Sequence, residues 1–593
     1  MSANQSNLSD PKFGYDLVVA VTQASLNATM KEFLAELTAP EVVSCYVYDA
    51  NNNLVPISYD DLKAQAKGSD PFQIPNGADP STNKDLLNLA AANYAGGFKA
   101  RLGLPDVPLA NIPAIVTLSS GTNAPVLFNL LCAEFQISGF EYGPRGRTTW
   151  IDQKQPGGGS GDPWYFSAHV ALNTTPINPN NPPPKTTQAV KQRIQELKQS
   201  IGANAFSVQQ LFLNLDTAIL QSTPTIVGIP PGWAVWELIS SVFLGAYMTQ
   251  MRKNGTPVLG YSVTVDKPDR STLQLGALSY ENCALLDGSK PIVNPTPAQQ
   301  AAATFNYLGT TGTTPPTATL CPWNWVELGE VSSFSGVQSV RRAIFVNFFA
   351  TLLNKEIGPL CQATTVSLTH HGDAYRISYS SQDASNPSTF QSVTVGAPGS
   401  DGFTDVLSLK YSHPNHDDSE AADHLSSIHG DFNYTLTGSV AFKDNFIRLS
   451  IRAQAYMKFN HHEVGINYDD LPGADYYDKT LTVTYQIGVT GDGHLRVSRT
   501  SNVADHSASW NFHPGGILGV FGFENDLKRG IQNVENNLAS RLDDNFASYQ
   551  TQVTNEINGQ KGWVFPGSKS FLFKNLLFSS SQDLVAHLTY AAT

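Results

Sequence analysis

The residues best equipped for chemistry in this chain crowd together between His413 and His429. His413, His416, Asp417, Asp418, Asp423, His424 and His429 supply imidazoles and carboxylates, the donor types that hold zinc or another divalent ion. Their surroundings are polar, so the segment reads as a solvated loop. A metal-dependent enzyme is the reading it would support only if those side chains converged. His461, His462 and Glu463 follow a strand-like run, and His370 with His371 another. Adjacent residues on a strand point to opposite faces, which is awkward for a shared ligand or an acid–base pair. Asp49, Asn51, Asn53 and Asp60 echo a calcium loop, but Leu54 stands where such a loop needs glycine. No G-x-S-x-G elbow, P-loop, G-x-G-x-x-G or HExxH occurs, and Gly157 to Gly161 reads as a linker. The sequence therefore leads us to expect no catalytic residues, no metal site and no cofactor.

The elements that would have to position any site are better marked than the chemistry. From Phe523 to Ile557 the apolar residues are Phe523, Leu527, Ile531, Val534, Leu538, Leu542, Phe546, Tyr549, Val553 and Ile557, spaced by three or four, which predicts one long amphipathic helix. Asn558-Gly559 supplies its stop. Upstream, Ile447, Leu449, Ile451, Ala453, Ala455, Met457 and Phe459 alternate with polar residues, as a half-buried strand requires. Phe432 to Phe442 and Leu481 to Val489 keep the same alternation, so these runs predict antiparallel hairpins with one apolar face. A strand from Ile447 to Phe459 spans about 44 Å and a helix from Leu527 to Ile557 about 46 Å. Strands of that length can cover the helix from end to end.

The chain reads as one plan used twice: helix, strands, apolar helix, Asn-Gly stop and strand. An N-terminal helix carries Leu26, Met30, Phe33, Leu34 and Leu37 inward, and a second runs from about Trp233 to Met251. The C-terminal part opens with a helix carrying Val337, Val340, Ile344, Phe348, Leu352 and Ile357. We expect modules at 1–300 and 326–593, joined by a Pro/Thr-rich connection at 301–325. The insertion from Thr174 to Pro184 reads as a surface loop.

With 593 residues, 41% of them hydrophobic, the chain can bury several cores. A net charge of -13 argues against nucleic acid as the main partner and against adhesion to anionic membranes. Five scattered cysteines form no CxxC pair and read as buried reduced thiols. Met1 to Pro11 has no apolar core of a signal, and no run has the length of a transmembrane helix. The expected location is cytoplasmic, or outside the cell without a classical signal peptide.

The segments FGYDLVVAVTQASLNATMKEFL, SVQQLFLNLDTA, VLGYSV, WNWVELGEVSSFSGVQSV and VFPGSKSFLFKNLLFSSSQDLVAHLTY are similar to the TULIP (tubular lipid-binding) accessory proteins of clostridial neurotoxin gene clusters and their microbial relatives. The resemblance implies an α+β fold of two TULIP-like modules, each a long curved antiparallel β-sheet wrapped around a long amphipathic α-helix. It also implies a groove for an acyl chain and no enzymatic activity. In this reading Phe345, Phe348, Leu352, Leu538, Leu542 and Phe546 line a site for a lipid or other apolar molecule. The same side chains could equally fill a dry core, leaving a protein-interaction or toxin-complex accessory component. Trp233, Trp236, Trp323 and Trp325 read as core.

Overall fold

The computed structural model describes residues 2–35, 40–122, 125–143, 147–155, 162–177, 205–224, 226, 229–230, 232–254, 258–265, 276–371, 374–422, 424–490, 495–506, 524–558 and 571–590. Among these the fold is α+β. Its α-helices are α1 (Gln23–Ala35), α2 (Tyr59–Gln65), α3 (Lys84–Ala91), α4 (Ala234–Asn254), α5 (Pro297–Ala301), α6 (Arg342–Lys355) and α7 (Glu524–Asn558). The paired strands run antiparallel in the three large sheets.

In the C-terminal half a six-stranded sheet is built from the alternating runs. The strand Phe446–Glu463 pairs with Ser426–Lys443 on one side and Ile466–Val489 on the other. Ile447, Leu449, Ile451, Ala453, Ala455, Met457 and Phe459 are all buried on one face, as their period of two requires. Lys443 pairs with Phe446, so Asp444 and Asn445 form the two-residue turn, with Asp444 at φ 50°.

A nine-stranded sheet fills much of the N-terminal half and packs on α4. Phe243 lies with its ring 4.2 Å from that of Phe166 and 5.3 Å from that of Phe135. Trp233 is buried as expected, and its indole donates to the Phe140 carbonyl at 3.1 Å. Trp323 and Trp325 are buried as well, whereas Trp236 is only half-buried. Leu26, Met30 and Leu34 of α1 point into the core; the Phe33 side chain and Leu37 lie outside the described residues.

A third, seven-stranded sheet draws on both halves of the chain. Its order is Phe571–Phe578, Leu584–Tyr590, Gly336–Val340, Leu17–Thr22, Thr304–Thr310, Ala277–Cys283 and Gly121–Thr122. Chain segments from the beginning, middle and end thus share one ladder. The stretch 301–325, expected as a connection, contributes the strand Thr304–Thr310, buried over nearly its whole length.

Three further expectations are corrected. Val337 and Val340, expected on a C-terminal helix, lie in the strand Gly336–Val340, and α6 begins at Arg342. The His413–His429 segment is not a loop: His413 to Glu420 end the strand Thr404–Glu420, which pairs with Ser426–Lys443. Thr174 to Ile177 likewise belong to the strand Tyr165–Ile177, while 178–184 lie outside the described residues.

Candidate apolar site between helix and sheet

Helix α7 lies against α6, the hairpin formed by Gln362–His371 and Ala374–Asp383, and the strands Ile466–Val489 and Leu495–His506. Its inner residues Leu538, Leu542, Phe546, Tyr549, Val553 and Ile557 are all buried, while Asp543, Asp544 and Gln552 face outward. That division follows from the three-and-four spacing read in the sequence. Phe523 and the side chains of Leu527, Ile531 and Val534 lie outside the described residues.

The rim of this layer is polar. Arg541 reaches Asp383 at 2.8 Å, Lys355 of α6 reaches Glu556 at 2.7 Å, and Lys479 pairs with Asp543. Asn545 donates to the Pro359 carbonyl at 2.6 Å. At the C-terminal end, Asn558 acts as a stand-in for a neighbouring strand. Its Oδ1 accepts from the Val497 N–H at 2.9 Å and its Nδ2 donates to the Val497 carbonyl at 3.2 Å.

Phe345, Phe348, Leu352, Leu538, Leu542 and Phe546 belong to one continuous apolar cluster and are between 0% and 9% exposed. They are not gathered around a single point. Phe345 sits by the C-terminal strand, 5.9 Å from the Phe442 ring and 5.7 Å from the Phe578 ring. Phe546 lies elsewhere along the layer, 5.8 Å from the Lys479 ammonium. The two helices are tied where the Tyr549 hydroxyl donates to the Leu353 carbonyl at 3.3 Å. Phe442 and Phe578 stack at 4.0 Å and extend the apolar strip, although the sequence reading named neither as a site residue. Alternation marked Phe442 as inward-facing, but its stacking on Phe578, a residue of a different sheet, is not encoded locally.

Ionisable groups inside the layer are held neutral. Burial pushes the Tyr549 and Tyr434 phenols well up, and Tyr434 donates to the Leu360 carbonyl at 2.8 Å. Burial also lifts Tyr485, and it pushes the Cys361 thiol up to about 11. Protonated phenols and a protonated thiol are neither nucleophiles nor bases near neutral pH. The arrangement is suited to excluding charge and water.

The histidine-rich strands engage their donors locally. His416 bonds Asp431 at 2.7 Å and Asp418 at 3.0 Å, and His429 bonds Asp418 at 2.7 Å. The bond to Asp431, then that to Asp418, raises the His416 pKa. His424 bonds Glu420 at 2.9 Å. On the opposite face, Asn415 and Asp417 accept from the N–H groups of Val366 and Leu368, alternate residues of the adjacent hairpin. Asp423 lies outside the described residues, among which no group of three or more His, Cys, Asp or Glu is placed to hold a metal ion. His461 is buried and His462 faces outward, on opposite sides as expected; the side chains of His370 and His371 are not described. Asp49 closes a turn by accepting from Asn51 and Asn53, while Asp60 pairs with Lys63 on α2.

A separate open cleft of about 320 Å³ lies between α1 and α5, lined by Gln23, Asn27, Lys31, Ala114, Pro297 and Gln300 among others. It shares no residue with the helix–sheet layer.

No protein family and no curated protein matches the chain. Among solved structures, it is similar to P47 of Clostridium botulinum E1 at 8% identity and a TM-score of 0.40, over 98% of this chain and 99% of that one. It is also similar to P47 from Clostridium botulinum A2, at 9% identity and a TM-score of 0.38 over 98% of both chains. A lipopolysaccharide binding protein is similar at 9% identity and a TM-score of 0.31, over 97% of this chain and 99% of that one.

Proposed function

We propose that this chain is a non-enzymatic binding protein that takes a lipid or other apolar molecule between α7 and the six-stranded sheet, touching Phe345, Phe348, Leu352, Leu538, Leu542 and Phe546. It has two TULIP-like modules, at 1–300 and 326–593 with 301–325 connecting them, and works without metal, cofactor or nucleic acid. The observation that supports this reading is the make-up of the layer. Leu538, Leu542, Phe546, Tyr549, Val553 and Ile557 of α7 and the buried row of the strand Phe446–Glu463 belong to one continuous apolar cluster, α7 packing on the strands Ile466–Val489 and Leu495–His506, and the phenols and thiol in that cluster stay protonated.

The ligand enters by displacing side-chain packing along α7. The ligand's hydrocarbon replaces the contacts of the buried α7 side chains that it displaces, and the exposed ion pairs at the rim, such as Arg541–Asp383 and Lys355–Glu556, hold little free energy. The test is mass spectrometry of lipid extracted from gently purified protein, followed by uptake of a fluorescent fatty acid by the delipidated chain. Clean protein that takes up none rejects the reading.

The close burial of those six residues favours a second reading, a protein-interaction or toxin-complex accessory component with a filled core. It is distinguished by a pull-down that captures a protein partner while fatty-acid uptake stays at background.

A further inference from the structure

The far end of the six-stranded sheet carries three aliphatic side chains in solvent. Leu425 is 56% exposed, Val464 73% and Ile466 55%. Glu463 pairs with Ile466, so Val464 and Gly465 form the turn between their strands. Leu425 belongs to the neighbouring turn, and its carbonyl accepts the Val464 N–H at 3.0 Å. All three side chains therefore crown one tip.

Val464 is a poor choice for that position on two counts. Its φ is 43° and that of Gly465 is 83°, a turn in which the first residue is ordinarily Asn, Asp or Gly. A β-branched residue in the left-handed region is strained, and an apolar one in solvent forgoes the hydration a polar residue would have. Asparagine would relieve both penalties. A valine, flanked by exposed leucine and isoleucine, makes sense at an apolar surface.

The tip's size and charge narrow what that surface is. Three side chains on two adjacent turns offer a small apolar area, whereas a stable protein interface buries about 800 Å² on each partner. The tip's backbone is closed up to the turn by the Ser426–Glu463 and Glu463–Ile466 pairs and the Val464–Leu425 bond. Insertion of the side chains thus requires little backbone beyond the turn itself to leave water. From 420 to 431 and from 459 to 471 the chain has no Lys or Arg, but it has Glu420, Asp423, Asp431, Glu463, Asp469 and Asp470 there. Anionic headgroups would be repelled, so the fitting surface is electrically neutral.

We infer that Leu425, Val464 and Ile466 form a tip that inserts into the surface of an uncharged lipid layer. This goes beyond ligand uptake in the helix–sheet layer and is tested apart from it. The experiment is flotation of the full chain with phosphatidylcholine vesicles at pH 7.5, compared with vesicles containing phosphatidylserine. Wild type floats with phosphatidylcholine and less with the anionic mixture. The combined variant Leu425→Ser, Val464→Asn, Ile466→Thr lowers the vesicle partition constant by about tenfold or more, with fatty-acid uptake unchanged. Val464→Asn alone raises the thermal midpoint while weakening flotation; opposite signs are what a turn shaped for lipid contact rather than stability predicts. Failure of wild type to float, flotation that survives the triple change, or a preference for anionic vesicles overturns the inference. So does a concentration-dependent dimer that the triple change abolishes, which would assign the tip to a second copy.

Discussion

Phe348 and Asp583 show how far single positions can be argued. Phe348 is buried on α6 within the apolar strip, and the proposed ligand needs room beside it. We expect Phe348→Trp to cut fatty-acid uptake while changing unfolding stability by less than about 1 kcal/mol; a dry core would instead lose about 1–3 kcal/mol with no uptake to lose. Denaturant midpoints at constant m separate the two. Asp583 is fully buried and accepts from Ser6 Oγ at 2.9 Å, from Leu8 N at 2.6 Å and from Arg342 N at 2.9 Å. Desolvation raises its pKa from 3.8 to about 6 in spite of those donors. The folded protein therefore holds this proton more tightly than the unfolded chain. The associated stability is complete below the ordinary carboxyl pKa and disappears as pH rises through about 6, an effect of about 3 kcal/mol. Asp583→Asn should flatten that part of the stability–pH curve between about pH 4 and 6.5, measured by denaturant unfolding at fixed ionic strength. No sequence pattern signals this knot, because Leu8 and Asp583 are 575 positions apart.

Individual elements were far more legible, for a physical reason. The runs Phe432 to Phe442, Ile447 to Phe459 and Leu481 to Val489 all lie within strands, as their alternation indicated, and α7 follows its apolar stripe to Asn558. Periodicity is read locally, and these elements bury one face against a large apolar partner. The end of Thr404–Glu420 escaped because it is polar on both faces. Its His416 and Asp418 side faces solvent, and its Asn415 and Asp417 side serves hairpin amides instead of hydrocarbon. The end of α7 offers a contrast between two kinds of polar contact. Asn558→Ala leaves both backbone groups of Val497 without their partner and should cost about 1–3 kcal/mol. Glu556→Gln removes an ion pair to a solvated lysine and should leave the unfolding midpoint unchanged. Equal losses in both variants would mean that the helix end is held by charge.

At the scale of the molecule, the decisive feature is the seven-stranded sheet, and it was the least legible. Thr304–Thr310 lies within the Pro/Thr-rich stretch 301–325 that reads as a connection, yet it pairs with both Leu17–Thr22 and Ala277–Cys283. Partner choice across hundreds of residues is set by packing, which local periodicity does not encode. One consequence concerns cooperativity. Leu17–Thr22 lies next to Gly336–Val340, which in turn pairs with Leu584–Tyr590, so the two halves cannot separate without breaking a common ladder. Gly336 faces Val21 and Leu588 in that ladder, and a Cβ there would collide with the Ala20 carbonyl oxygen. Gly336→Ala must push a buried backbone apart, at about 1–3 kcal/mol. In a shared-sheet protein that loss is felt everywhere. Hydrogen exchange followed by mass spectrometry should show faster global opening, to the same degree, in Tyr94–Leu102 of the nine-stranded sheet and Phe446–Glu463 of the six-stranded sheet. Two units joined by a linker would behave differently: exchange would quicken around Gly336 and leave at least one of those distant strands at its wild-type rate.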